Sequence, residues 1–202
     1  MRRRAFLAAA LLAPLVARAE QLPPPAVPIA ALNEGLLSIM HEGKSTAFAK
    51  RAGRIQPLVE QAFDLQQILQ SSVGVRWGSF SQQQKDDLLE AFTRWTVATW
   101  VSNFDTFEGE TFRISPNLRT AGQDQVVQTQ IVPQNGSPTR LDYVMRNVGS
   151  GWKAVDVLAD GAISRVAVQR SDFRTLLRTG DPAPLIANLR YKADALAAGM
   201  RT

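Results

Sequence analysis

The chain has 202 residues and a mass of 22.2 kDa, which suits one domain, or one domain with a processed segment. Hydrophobic residues make up 45% of it and charged residues 20%, a balance that indicates a globular protein and excludes a disordered chain. The formal net charge is +5. The absence of cysteine and the single histidine exclude disulfide bridges, thiolate metal sites and multi-histidine metal sites. We expect neither a metal ion nor another cofactor.

The first 19 residues have the features of an export signal. Three arginines at positions 2–4 precede the apolar run 5–16, and Ala17-Arg18-Ala19 is a small-x-small cleavage motif. The apolar run is shorter than the roughly 20 residues that a bilayer-spanning helix needs. We therefore predict that residues 1–19 are a cleaved signal peptide, with an uncleaved anchor as the alternative. The mature protein is then periplasmic, exported by the general secretory or the twin-arginine route.

Removal of this segment changes the charge balance. The remaining chain carries 19 basic and 18 acidic side chains, so the whole-chain pI of about 10.1 does not indicate a nucleic-acid partner. The residual charge is uneven: residues 20–139 hold 9 basic and 12 acidic groups, whereas residues 140–192 hold 9 and 5. The basic C-terminal third either contacts anionic lipid headgroups or an acidic partner, or forms an ordinary solvated surface. The arginines considered for headgroup or partner contact are Arg146, Arg165, Arg170 and Arg174.

Most of the first half of the mature chain is predicted to be helical. Residues 20–28 are expected to form an extended, proline-rich leader before a single domain at 29–198. Apolar residues at helical spacing predict helices over 29–40, 45–59, 64–74 and 82–104. We expect Ser45 to cap the second helix and Pro57 to kink or break it. Ser81 is expected to begin the fourth helix, with Gln84 as its capping-box partner.

After Gly109 the apolar spacing changes from helical to alternating. It predicts four strands, at 110–114, 125–132, 139–148 and 152–158, with turns at 135–136 and 149–151. Two further helices are predicted, one between 161 and 180 and one after Pro182. This order predicts an α+β fold. In it, a four-stranded antiparallel meander packs against N- and C-terminal helices around an apolar cavity; a fully packed core is the alternative.

Alternation along the strands indicates which residues face that cavity. Leu141, Tyr143 and Met145 share one face of the third strand, and Val155 and Val157 share one face of the fourth. The residues expected to line the cavity are Phe63, Leu88, Phe92, Trp95, Thr99, Trp100, Val127, Ile131, Leu141, Tyr143, Met145, Val155, Val157 and Ile163.

The sequence contains no recognisable catalytic motif. It lacks a phosphate-binding loop, a dinucleotide-binding glycine motif and a nucleophile elbow. His41 lies beside Glu42 and Gly43 at a polar helix end, where a catalytic base is not expected. Asp156 or Asp64 can serve as a general base only if the carboxylate enters the cavity. We predict no enzymatic activity, and an enzyme that uses one of these aspartates is the alternative.

Several stretches follow one another in an order known from one protein family. They are Phe63-Asp64-Leu65, Val73-Gly74-Val75-Arg76-Trp77, 141–146, 151–157, Asp160-Gly161, Ile163-Ser164, 170–173 and 176–180. Together they resemble the MlaC family of periplasmic lipid carriers, also called the toluene-tolerance or Tol-Tol family, over roughly residues 30 to 190. Residues 103–110 and 160–170 are most similar to its hopanoid-associated branch, HpnM. There, Ala162-Ile163-Ser164 replaces the Gly-Val-Ser run of many phospholipid carriers.

The resemblance implies an NTF2-like or cystatin-like fold with a lipid pocket between sheet and helices. It also implies a monomeric shuttle that carries a phospholipid or a hopanoid between the inner and outer membranes. An inner-membrane transporter of the ABC/MCE or RND type and an outer-membrane protein are the expected partners. Contact with a membrane or membrane protein would be transient.

Overall fold

The computed structural model describes residues 22–200, so the predicted signal peptide lies outside the described residues. Within this range the chain forms six α-helices and one antiparallel five-stranded sheet. The helices are α1 (Val27–Glu42), α2 (Phe48–Ala62), α3 (Leu65–Val73), α4 (Gln82–Asn103), α5 (Arg165–Leu176) and α6 (Ala183–Ala197). The strands are β1 (Thr111–Ala121), β2 (Asp124–Val132), β3 (Thr139–Asn147), β4 (Trp152–Ala159) and β5 (Ile163–Ser164).

The sheet is a meander in which each strand pairs with the next one in the chain, in the order β1-β2-β3-β4-β5. The predicted α+β class is confirmed, and the sheet has one strand more than predicted. No pattern in the sequence predicts β5, because it is only two residues long and follows β4 after a tight turn. That turn holds Asp160 and Gly161 at positive φ (51° and 73°), a conformation that glycine adopts readily.

Helix ends follow the polar and glycine signals in the sequence. The Asp64 side chain accepts a hydrogen bond from the Gln67 amide (3.0 Å) and begins α3. Ser81 and Gln84 form the predicted capping box at the start of α4, with reciprocal side-chain to backbone bonds of 3.2 and 2.9 Å. Gly74, at φ +72°, ends α3. These short-range hydrogen bonds fix where the helices of the cavity wall begin and end.

The predicted cap of α2 is wrong, and the helix is continuous through Pro57. Ser45 does not cap the helix, because it lies in the 3-10 turn Gly43–Ser45 and its hydroxyl donates to the Glu42 carbonyl (2.7 Å). The helix begins three residues later, at Phe48. Pro57 does not break it either: a proline removes one intrahelical hydrogen bond, and the buried residues Ile55 and Val59 hold the segment against the core.

The proline-rich segment is not extended where the structure describes it. Pro24–Ala26 form a 3-10 turn and α1 begins at Val27, two residues before the predicted start. Ala26 is fully buried in the main hydrophobic core. Because burial of apolar surface stabilises the turn, the prolines here start the folded domain instead of preceding it.

Strand β1 is also longer than predicted. Its pairing with β2 shifts register between Ile114 and Leu118 and then continues to Ala121. The intervening Ser115-Pro116-Asn117 has the composition of a turn, which is why the predicted strand ends at Ile114. Proline is tolerated there because β1 is an edge strand, where a missing backbone donor costs no ladder hydrogen bond.

The helical layer covers one face of the sheet. On that face Val127 pairs with Tyr143 and Met145 pairs with Ala154, and all four side chains are buried in the core. The junction between α2 and α3 is attached directly to β4: Phe63 forms a parallel bridge with Ala154, and the Asp64 amide donates to the Ala154 carbonyl (2.9 Å).

The capping box of α4 gives a direct test of the fold. Ser81→Ala removes the side-chain acceptor for the Gln84 amide and should lower the free energy of unfolding by about 1 kcal/mol. Urea unfolding followed by circular dichroism measures this. Ser150→Ala, at an exposed turn position, is the matched control and should leave the midpoint unchanged. Equal midpoints for the two variants would contradict the capping role.

Candidate functional site

A cavity of about 340 Å³ lies between the sheet and helices α3, α4 and α5. Its volume is within the range of roughly 300–1,000 Å³ that is typical of small-molecule pockets, near the lower end. Its walls are mainly apolar and aromatic. They are formed by Phe63, Leu65, Ile68, Phe92, Trp95, Thr96, Thr99, Trp100, Asn103, Phe104, Leu141, Asp156, Val157, Ala159, Arg165, Val166 and Gln169.

Helix α4 supplies one wall through a single stripe of side chains. Residues 92, 95, 96, 99, 100 and 103 recur at the spacing that places them along one helix face. Trp100 stacks on Phe104, with ring centroids 5.6 Å apart, and contacts Phe63 at 5.7 Å. The Thr99 hydroxyl donates to the Trp95 carbonyl (2.8 Å) and is therefore satisfied within the helix. A ligand in the cavity therefore does not have to supply a hydrogen-bond acceptor for the Thr99 hydroxyl.

The sheet supplies the opposite wall, and its contribution changes along the strands. Met145 and Tyr143 are buried against the helices, whereas Leu141, two residues before Tyr143 on the same face of β3, lines the cavity. On β4, Ala154 is fully buried, and Val157 and Ala159 line the cavity. The sheet face is therefore packed at one end and open to the cavity at the other.

Besides two threonines, four polar or charged side chains contribute to the lining. They are Asn103 from α4, Asp156 from β4, and Arg165 and Gln169 from α5. Asn103 and Arg165 are exposed to solvent, which places the cavity mouth beside them. An apolar interior with a polar rim suits a ligand that has an apolar body and a polar end.

The Asp156 carboxylate is occupied by local hydrogen bonds. It accepts from the Val157 amide (2.8 Å), the Val166 amide (3.1 Å) and the Ser164 hydroxyl. Ser164 in turn caps α5 by accepting from the Ala167 amide (3.0 Å). Asp156 thus joins the end of β4 to the start of α5, which is a structural role in the cavity wall. With these three hydrogen bonds the Asp156 carboxylate does not have the arrangement expected of an activated general base.

The other aspartate considered for catalysis is not in the cavity wall. Asp64 caps α3, and the cavity lining includes its neighbours Phe63 and Leu65 instead. His41 contacts Phe107, with ring centroids 3.8 Å apart and the rings tilted by 36°, and is also absent from the lining. Among residues 22–200, no group of three histidine or carboxylate side chains is placed to hold a metal ion. In the same part of the chain, no helix combines the length and the hydropathy needed to cross a bilayer.

The structure brings half of the predicted cavity residues together. Seven of them line the cavity: Phe63, Phe92, Trp95, Thr99, Trp100, Leu141 and Val157. Five others belong to the core behind the wall and do not reach the cavity: Leu88, Val127, Tyr143, Met145 and the partly buried Ile131. The alternation of apolar and polar residues identifies which face of β3 points inward. It does not predict the position along the strand at which the packed core ends and the cavity begins.

Two predicted cavity residues are wrong for local reasons. Val155 does not share a face with Val157, because the β3–β4 register shifts so that Met145 pairs with Ala154 while Tyr143 pairs with Val157. This bulge inserts one residue and moves Val155 outside the lining. Ile163 lies on the two-residue strand β5 with 54% of its surface exposed.

The four arginines considered for contact with a lipid headgroup or a partner have different environments. Arg165 lines the cavity mouth, and Arg174 is exposed on α5. Arg170, also on α5, donates two hydrogen bonds to the Ser71 carbonyl, at 2.9 and 2.6 Å. Arg146 forms a bidentate pair with Asp124 (2.8 and 2.7 Å), which raises the pKa of Arg146 and commits its charge within the protein. Arg146 is therefore the weakest candidate of the four for contact with a ligand.

Sequence analysis missed the cavity residues of α3 and α5. Leu65 and Ile68 come from the first turns of α3, and Val166 and Gln169 come from the first turns of α5. Helical spacing places Leu65 and Ile68 on the apolar face of α3, and this spacing is the feature of the sequence that could have suggested a place in the cavity wall. Periodicity gives the buried face of each helix but not which helices surround the same space.

The fold and the cavity define a class: an α+β domain that encloses an apolar site between a meander sheet and its helices. A model of the family described as "MlaC protein" matches residues 31–191. The chain therefore belongs to the MlaC family. The structure is similar to that of the phospholipid-binding protein from Ralstonia solanacearum in complex with a phospholipid. The TM-score is 0.74 at 18% sequence identity, over 87% of this chain and 99% of that chain. No curated protein matches the sequence significantly.

A cavity-filling variant tests whether this space accepts an apolar molecule. Ala159→Phe adds a ring at the cavity wall and should weaken binding of an apolar fluorescent naphthalene probe by about tenfold, a change of about 1.4 kcal/mol. Ala121→Phe, at an exposed position near the end of β1, is the matched control. Fluorescence titration gives both affinities. Equal probe binding by the two variants would place the probe elsewhere.

Proposed function

We propose that this protein is a non-enzymatic lipid carrier of the periplasm. The observation that carries the proposal is the apolar, aromatic-lined cavity with its polar rim of Asn103, Arg165 and Gln169. Acyl or polycyclic groups would occupy the apolar interior, and the polar end of the lipid would remain at the rim. Membership of the MlaC family and the similarity of the fold to that of a phospholipid-binding protein support this proposal.

The energetics of burial indicate how such a carrier must work. A two-tailed lipid has about 30 methylene groups, and each contributes roughly 0.8 kcal/mol on burial. The total exceeds the practical limit of about 18–21 kcal/mol for noncovalent affinity. Either part of the tails stays outside the cavity of about 340 Å³, or α4 and the sheet separate at a cost to admit them. In both cases release into water is slow, so unloading requires contact with an acceptor.

The proposed cargo is a phospholipid or a hopanoid, and the proposed route joins the inner and outer membranes. The protein would act as the soluble monomeric component of a transport system whose inner-membrane part is of the ABC/MCE or RND type. The resemblance to the hopanoid-associated branch rests on residues 103–110 and 160–170, and within the second segment Ala162-Ile163-Ser164 favours a polycyclic cargo over a phospholipid. Ile163 pairs with Ala159, a cavity-wall residue, so sequence differences in this segment adjoin the binding site.

Copurification of lipid tests the proposed binding. Organic extracts of the purified protein should contain a membrane lipid near one mole per mole of protein, measured by mass spectrometry. Val157→Asp places a charge in the apolar wall and should abolish loading, because an unpaired charge in such a site is strongly disfavoured. Val148→Asp, just after β3 and exposed, is the control and should retain lipid. The wild-type protein purified without any lipid would count against the carrier function, as would full loading of Val157→Asp.

The charge at the cavity mouth tests the proposed transfer step. Arg165→Glu should slow lipid transfer between donor and acceptor vesicles on the order of tenfold, because each basic group near an anionic surface contributes about 1 kcal/mol. Arg119→Glu makes the same charge change at an exposed position on β1 and is the control. Fluorescent-lipid transfer measures the rates, and thermal unfolding checks the fold. Transfer at the wild-type rate by Arg165→Glu would exclude a role for this arginine.

A further inference from the structure

Val75 is the most exposed of the large hydrophobic residues in the described part of the chain, with 99% of its surface accessible. It lies in the 3-10 segment Gly74–Ser79 between α3 and α4, with Gly74 and Gly78 nearby. A single exposed apolar side chain is common on protein surfaces and does not by itself indicate a binding site.

The segment that carries Val75 is attached firmly to the fold. The Arg76 guanidinium donates to the backbone carbonyls of Leu177 and Arg178, at the end of α5. The Ser79 hydroxyl donates to the Arg76 carbonyl (2.8 Å). Trp77 packs edge-on against Phe80, with ring centroids 6.5 Å apart. Val75 is therefore held out in solvent by an anchored turn.

The turn and α5, to whose end it is bonded, are rich in arginine. The segments 74–79 and 165–178 together contain five arginines and one acidic residue, Asp172. Arg174 and Arg178 are exposed, and Arg170 lies against Gly74, its Nε 4.0 Å from the position a Cβ there would occupy. The Lys85 ammonium lies 5.9 Å from the Trp77 ring. We call Val75 with Arg76, Arg170, Arg174 and Arg178 the basic tip.

The basic tip is connected to the cavity mouth through α3 and α5. Arg170 donates to the Ser71 carbonyl, and the Ser72 hydroxyl donates to the Gln169 side chain (3.0 Å). Gln169 itself lines the cavity. The turn that carries Val75 is therefore connected to a cavity-lining residue through contacts of Arg170 and Gln169 with the end of α3.

We propose that the basic tip docks on an anionic lipid bilayer, with Val75 entering the boundary between headgroups and acyl chains and the arginines contacting lipid phosphates. A bilayer fits better than a protein groove, because protein interfaces depend on large aromatic anchors and valine is under-represented among their key residues. Peripheral segments bind such membranes by burying apolar side chains at the headgroup boundary while nearby basic side chains are attracted to the anionic lipids. The benefit of docking to transfer rests on the proposed carrier function, but the docking itself does not.

A site-specific fluorophore tests this directly. The chain contains no cysteine, so Val75→Cys can carry a single environment-sensitive nitrobenzoxadiazole label. Vesicles with 30 mol% phosphatidylglycerol should cause a blue shift and increased emission of this label, and vesicles of phosphatidylcholine alone should not. Ser150→Cys, labelled in the same way at the exposed β3–β4 turn, is the control and should not respond.

A second pair of variants tests the charge requirement. Adding Arg174→Glu and Arg178→Glu to the labelled Val75→Cys protein should weaken binding to the anionic vesicles at least twentyfold, at about fivefold per arginine removed. An unchanged response in that protein, no response at position 75, or an equal response at position 150 would overturn the proposal. Vesicle binding by protein that carries no lipid would support docking even if the carrier function fails.

Discussion

The cavity depends on how the helical layer is packed against the sheet, which is tight at one end and open at the other. At the α2–α3 junction, Phe63 bridges to Ala154 and the Asp64 amide donates to the Ala154 carbonyl. Beside this attachment, Tyr143 and Met145 fill the space between the layers. Further along the same face, Leu141 and Val157 meet the aromatic stripe of α4 across open space. The packed end stabilises the domain, so the open end can remain available to a ligand.

Strand alternation places two charged pairs on the face of β3 opposite Leu141, while the Asp156 carboxylate in the cavity lining is held by local hydrogen bonds. The pairs are Arg140 with Asp142 (2.9 and 2.6 Å) and Arg146 with Asp124 (2.8 and 2.7 Å). Hydrogen bonding to its carboxylate partner raises the pKa of each arginine. Burial raises the pKa of Tyr143, which stays neutral beside the cavity. The interior is therefore suited to apolar groups, and charged groups of a ligand are restricted to the mouth at Arg165.

Much of the fold could be predicted from short-range signals. The start of the third helix near Asp64 and the capping box at Ser81 depend on residues within one turn of each other, and the structure confirms both. The residues of α4 that line the cavity likewise follow helical spacing within one segment. The alternation of β3 gave the correct face for Leu141.

The errors arose where distant parts of the chain decide the outcome. The β4 bulge excludes Val155 from the cavity through its register with β3. Docking of α3 and α5 adds Ile68 and Val166, which no periodicity in one segment could assign to the same site. β1 continues past Pro116 because β2 offers a partner there.

The central claim is that the space between α4 and β4 is held open for an apolar guest. A high-resolution crystal structure of the protein as purified tests it most directly. We predict continuous, chain-like or ring-like electron density of a bound lipid between Trp100 and Val157, with its polar end near Arg165. The claim is contradicted if the side chains of Trp95 and Trp100 turn inward and fill the space, leaving a solid core with no bound molecule.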